Sequence, residues 1–156
     1  METWRWSAGF DNHDTPTHAC VFDRFTFLHA AFGVLAAWVL QQNPISNLDL
    51  LLIIASIAIL WEVAENAFPS VYGPLFGLKD YKGDSWPNAL SDVVISVLGG
   101  VFGAYVPEPA SYIVGFVLLG VGLGWAGVSA WKQNRLVSAG WVSMPTSVSI
   151  PAPVAI

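Results

Sequence analysis

The chain has 156 residues, 54% of them hydrophobic, 13% aromatic and only 11% charged, with a net charge of −5. An ordinary soluble domain carries about 25% charged residues. The acidic balance offers no basic stripe for phosphates, and the apolar fraction is too high for disorder, so a nucleic-acid binder and a disordered chain are both excluded.

Residues 1–24 hold Glu2, Asp11, Asp14 and Asp23 among several Trp and Pro. They lack the basic-then-apolar order of a cleavable signal peptide. His13, His18 and Cys20 lie here at spacings that match no zinc pattern, and a single Cys forms no internal disulfide. Four apolar segments follow, at about 25–40, 48–68, 88–106 and 111–131. Each is near the roughly 20 residues that cross a hydrocarbon core, the first being the shortest. The connectors QQNPISN and PEPA are short and turn-like, and only 69–87 forms a longer loop.

Six basic residues orient this pattern. Arg5 and Arg24 precede the first span, Lys79 and Lys82 sit in the long loop, and Lys132 and Arg135 follow the fourth. With four spans all six fall on one side, which the positive-inside rule places in the cytoplasm. The expectation is an all-α, multi-pass protein of the bacterial inner membrane with both termini cytoplasmic. It has a cytoplasmic segment at 1–24, a four-helix transmembrane bundle at 25–131 and a Pro-containing tail at 132–156, uncharged from 136 on. Gly99 and Gly103, and likewise Gly120 and Gly124, are spaced four apart as small faces for close helix packing, within the bundle or, as the alternative, in a dimer. Trp38, Trp86 and Trp131 fall near span ends, as interface anchors do.

Ionisable groups inside these spans carry the chemical signal. His29 lies about one turn into the first span, Glu62 and Glu65 in the last two turns of the second, and Asp92 about one turn into the third. In the four-span topology all three helices bring these groups to one depth, in the cytoplasmic half. Glu62, Glu65 and Asn66 share one helix face, and Asn88 and Asp92 share another, with Ser96 continuing it. An intramembrane carboxylate costs on the order of 2.5–3.5 kcal/mol, a sizeable share of the roughly 5–15 kcal/mol that stabilises a domain. A cation, shared protons or a salt bridge to Arg24, Lys79 or Lys82 must neutralise the cluster.

At these residues the chain resembles a family. Asp23-Arg24-Phe25-Thr26-Phe27-Leu28-His29 looks like D-x-Y-T-F-x-H, Trp61 to Asn66 matches W-E-x-x-E-N, and Gly83 to Asp92 matches G-D-S-x-x-N-x-x-S-D. Together they resemble an uncharacterised bacterial inner-membrane family, more distantly VanZ-like, over about residues 20–106. The resemblance implies a small multi-pass membrane protein and marks Asp23, His29, Glu62, Glu65, Asn66, Asp84, Asn88 and Asp92 as motif positions; it implies no reaction. Two departures weaken any anion-binding role that it would carry. The segment after Asn66 has no Arg, and Gln133 stands where the family has Asp.

Three functions follow as expectations. The first is an accessory subunit of a larger membrane complex. Residues 136–156 carry Trp141, Pro145, Pro151 and Pro153 but no charge, unlike a solvated tail, and so suit docking on a membrane-protein partner. The second is a metal-dependent or acid–base enzyme acting on a lipid headgroup. Glu62, Glu65 and Asp92, as the acid–base candidates and with His29 as a further ligand, form an oxygen-rich set for Mg²⁺, Mn²⁺ or Ca²⁺. Asp84 and Asn88, with Asn66 beside them, would orient the headgroup, and Lys79 and Lys82 would attract anionic lipid. The third is a tetrapyrrole on His29, whose neighbours Ala30 and Gly33 are small. Transport is not supported, since the polar groups occupy one half only.

Overall fold

The computed structural model describes residues 21–23, 25–75 and 83–138, with backbone alone at 74, 129, 130, 132–134 and 136–138. Its elements are five helices: α1 (Thr26–Leu40), α2 (Asn47–Ala67), α3 (Pro69–Leu75), α4 (Trp86–Tyr105) and α5 (Ala110–Ser138). Three helices are long and apolar enough to cross a membrane, over Asn47–Ala67, Trp86–Tyr105 and Ala110–Val128, while α1 is apolar but shorter.

Local chemistry fixes where the helices begin. Asp23 Oδ1 accepts hydrogen bonds from the backbone N–H groups of Phe25 at 2.7 Å and Thr26 at 3.2 Å, and Thr26 Oγ1 accepts from the Asp23 N–H at 3.0 Å. This reciprocal pair meets orphan donors at the start of α1. Ser46 does the same for α2: its Oγ accepts from the Asp49 N–H at 3.1 Å and donates to Asp49 Oδ2 at 2.7 Å. Pro87 stands in the first turn of α4, where no N–H is needed.

The packing is inside out relative to a water-soluble bundle. The buried face of α4 is Asn88, Ser91, Asp92, Ser96, Gly99, Gly100 and Gly103. Its exposed face carries Leu90, Val94, Leu98 and Phe102, one residue per helical turn. Exposed Leu52, Ile53, Ile57, Ile59, Leu60 and Val63 on α2, and Ile113, Phe116, Val117 and Val121 on α5, extend this apolar exterior. Monomeric proteins in water rarely expose continuous apolar patches of that size. In hydrocarbon the same surface is the preferred one.

Helix α1 packs closely on α4 and α5 and touches α2 much less, while α2 rests on α4. Backbone proximity explains the first contact. A Cβ on Gly33 would meet the backbone of Ser96 and Gly100, one on Gly99 the backbone of Ala30 and Val34, and one on Gly103 the Val34 carbonyl. Ala37, Leu50 and Ile54 form the small apolar core where α1 and α2 do meet, near the connector joining them.

The spans fall within about two residues of the expected positions at most boundaries, with three differences. Helix α3 occupies Pro69–Leu75, inside the stretch expected to be a loop; Pro69 supplies a pre-set first residue, and Tyr72 packs edge-on against Trp61 at 5.4 Å. Helix α5 continues past 131 to Ser138. At 29 residues it is about 43 Å long, more than a hydrocarbon core needs. A Cβ on Gly120 or Gly124 would meet nothing within 4 Å among the described residues, whereas Gly115 and Gly122 pack against Leu35 and Leu28. Arg5, His13, His18, Cys20, Arg24, Lys79, Lys82 and the tail at 139–156 lie outside the described residues, as does the side chain of Lys132.

Candidate functional site

Three helix ends converge at one end of the bundle: the first turn of α1, the last turns of α2 and the second turn of α4. His29, Glu62 and Asp92 meet there, each offering one ligand atom with all three atoms within 4.8 Å of one another. His29 Nε2 stands 3.7 Å from Asp92 Oδ2 and 3.9 Å from Glu62 Oε1, beyond the roughly 3.2 Å limit of a good hydrogen bond. Glu62, Glu65 and Asp84 form a second such set that shares Glu62.

The cluster is dry. Glu62 is 6% exposed, Glu65 7% and Asp92 1%. Both carboxylate oxygens of Glu62, Oδ1 of Asp92, the amide atoms of Asn88 and the hydroxyls of Ser85 and Ser96 are buried without a hydrogen-bond partner among the described residues. Such orphaned acceptors are costly and call for a donor or a cation.

Beside the cluster lies a cavity of about 280 Å³. Phe25, Leu28, His29 and Phe32 line it from α1 and Ile57, Ala58, Trp61 and Glu65 from α2, with Asp84 and Asp92 also on its wall. Both helical sets follow the three- and four-residue spacing of a single face. The cavity is thus a cleft between α1 and α2 where those helices diverge, apolar along its length and polar where His29, Glu65, Asp84 and Asp92 gather.

No protein-family model, curated protein or solved structure matches this chain.

The motif residues divide into two kinds. His29, Glu65, Asp84 and Asp92 face the cleft, with Glu62 directly behind. Asn66 and Gly83 instead hold the backbone around it, and Asp23, which supports the start of α1, is 3% exposed and close enough to act electrostatically on His29, Glu62 and Asp92. Asn66 Oδ1 accepts from the Asp84 N–H at 2.7 Å, and Asn66 Nδ2 donates to the Glu62 carbonyl at 2.9 Å. Gly83 takes φ +92°, and a Cβ there would lie 2.6 Å from Asn66 Oδ1. Ser91 Oγ donates to the Val21 carbonyl, tying the segment before α1 to α4.

Asn88 lies on the buried face of α4. It is fully buried and is not part of the cleft wall. His29, on which the sequence suggests a tetrapyrrole as one option, turns its Nε2 toward Glu62 and Asp92. The apolar walls, Phe25, Leu28 and Phe32 with Ile57 and Trp61, went unassigned by sequence reasoning. Their spacing was visible, but it cannot distinguish a face turned to lipid from one turned to a cleft.

Proposed function

We propose that this chain is a four-span protein of the bacterial inner membrane, with both termini cytoplasmic, that binds the polar end of a membrane-resident amphiphile in the α1–α2 cleft. His29, Glu65, Asp84 and Asp92 then lie against that headgroup. The cleft carries this reading: apolar on two helix faces, it ends at four ionisable side chains. An amphiphile has the same polarity sequence, and pockets of this kind typically fix orientation with a few polar groups. The motif resemblance to a small inner-membrane family, distantly VanZ-like, fits the same picture.

Lipids retained through purification test the reading. Ile57 is 46% exposed and lines the cleft, whereas Ile59 is 50% exposed and does not. Native mass spectrometry of the protein released from micelles should find a bound lipid on the parent chain and on Ile59→Trp. Ile57→Trp, which narrows the cleft, should lose it. Equal retention by both variants removes the cleft from the function.

A second reading, a subunit docked in a larger membrane complex, is favoured by α5. Gly120, Gly124 and Gly127 have nothing within 4 Å, and small faces of this kind accept a close transmembrane helix. Pull-down in mild detergent followed by mass spectrometry tests it. A parent chain that elutes as a monomer with no co-purifying membrane protein rejects that reading.

A further inference from the structure

The cleft leaves one group without a task. Glu62 sits behind its wall, 6% exposed, with neither carboxylate oxygen hydrogen-bonded among the described residues. We propose that His29, Glu62 and Asp92 together bind one divalent transition-metal cation, Zn²⁺ or Mn²⁺, with an open coordination position facing the cleft.

The spacing fits coordination better than hydrogen bonding. Two ligands held at about 2.1 Å on a tetrahedral ion stand about 3.4 Å apart. The separations of 3.7 Å and 3.9 Å from His29 Nε2 to the two carboxylates lie a few tenths of an ångström outside that edge. Small side-chain adjustments close the difference. A cation would also give a partner to the oxygens of Glu62 and Asp92 that have no hydrogen-bond partner among the described residues. Among the described residues, the only Lys or Arg side chain is Arg135, which lies over the Trp131 ring at 4.6 Å; it does not compensate the cluster.

Ligand chemistry narrows the ion. Mg²⁺ and Ca²⁺ favour all-oxygen shells; the imidazole of His29 shifts preference toward Zn²⁺, while the two carboxylates keep Mn²⁺ acceptable. Three protein ligands leave a tetrahedral ion one position. His29 and Asp92 also line the cleft, so the free position opens there.

The test uses the full chain in detergent, stripped with EDTA. Titration calorimetry with Zn²⁺ should give about one equivalent per chain, and Glu62→Gln and Asp92→Asn should weaken it at least about 100-fold. Glu108→Gln, in the exposed connector at the other end of the bundle, should stay within about threefold. Pulsed electron paramagnetic resonance of the Mn²⁺-loaded parent should show nitrogen coupling from one imidazole, absent in His29→Leu. Gel filtration establishes that each variant is folded, and the spectrum of the parent alone keeps the proposal decidable if a variant is not. Sub-stoichiometric Zn²⁺ binding, binding indifferent to Glu62 and Asp92, or Mn²⁺ without nitrogen coupling overturns it. Lipid retention by Ile57→Trp reads the cleft independently, so either idea can fail without the other.

Discussion

Asn66 and Asp84 are 18 residues apart in sequence, yet the Asn66 side chain accepts the Asp84 backbone N–H at 2.7 Å. That single bond joins the end of α2 to the start of the segment leading into α4, and so sets how the two carboxylate-bearing stretches face each other. Gly83 makes room for it. Gly83→Ala should cost about 1–2 kcal/mol from the positive φ alone, with a further penalty from the contact with Asn66. Thermal unfolding in detergent measures it. Because the two residues touch, Asn66→Ala and Gly83→Ala should be non-additive in a double-mutant cycle.

The α1–α4 crossing depends on absent side chains. Gly33→Ala should destabilise by about 1–3 kcal/mol, since its Cβ meets backbone that cannot swing aside. Gly124→Ala, facing open space, should stay within about 0.5 kcal/mol. Melting temperatures of the two variants in one detergent compare them directly, and similar values would mean that α1 and α4 are not packed this tightly.

Asp23 tests a division of labour within the motifs. Asp23→Ala should cost about 1 kcal/mol through loss of the α1 cap, while Asp23→Ser or Asp23→Asn should recover most of it. A capping residue is replaceable by other cappers; a charge-dependent site residue is not. Chemical unfolding followed by tryptophan fluorescence reads the difference.

The proposed topology, four spans with cytoplasmic termini, would place the α1–α2 and α4–α5 connectors together on the far side. Gln42 Nε2 lies 3.4 Å from Glu108 Oε1, so the two connectors do adjoin. In a Cys20→Ser background, Gln42→Cys and Glu108→Cys should react with a membrane-impermeant maleimide added to the periplasmic face. Trp86→Cys, at a position 79% exposed, should react only after the membrane is opened. Labelling of all three from one side contradicts the topology.

The helices and the gathering of His29, Glu62 and Asp92 were legible because membrane segments announce themselves by length and because polar residues within them are few. Helix α3 was not, since seven residues with two prolines read as a turn by composition. The open face at Gly120 and Gly124 was misassigned for a related reason: glycine spacing marks where a close approach is possible, not which neighbour makes it. Asp23 and Asn66 also support the backbone, a role that rests on which donors lie within about 3 Å and so only emerges in three dimensions.

The polar inner face of α4 also bears on biogenesis. With Asn88, Asp92 and Ser96 on one side, α4 has a mean hydropathy of 1.3, against 1.9 for α2 and 1.8 for α5. It is the poorest of the three at leaving the translocon for lipid alone. By the time it emerges from the ribosome, α1 and α2 are already made, and they carry the surfaces that cover its polar side. Nascent α4 therefore partitions as a guest of its predecessors, and lesions in α1 should be felt first as failed insertion of α4.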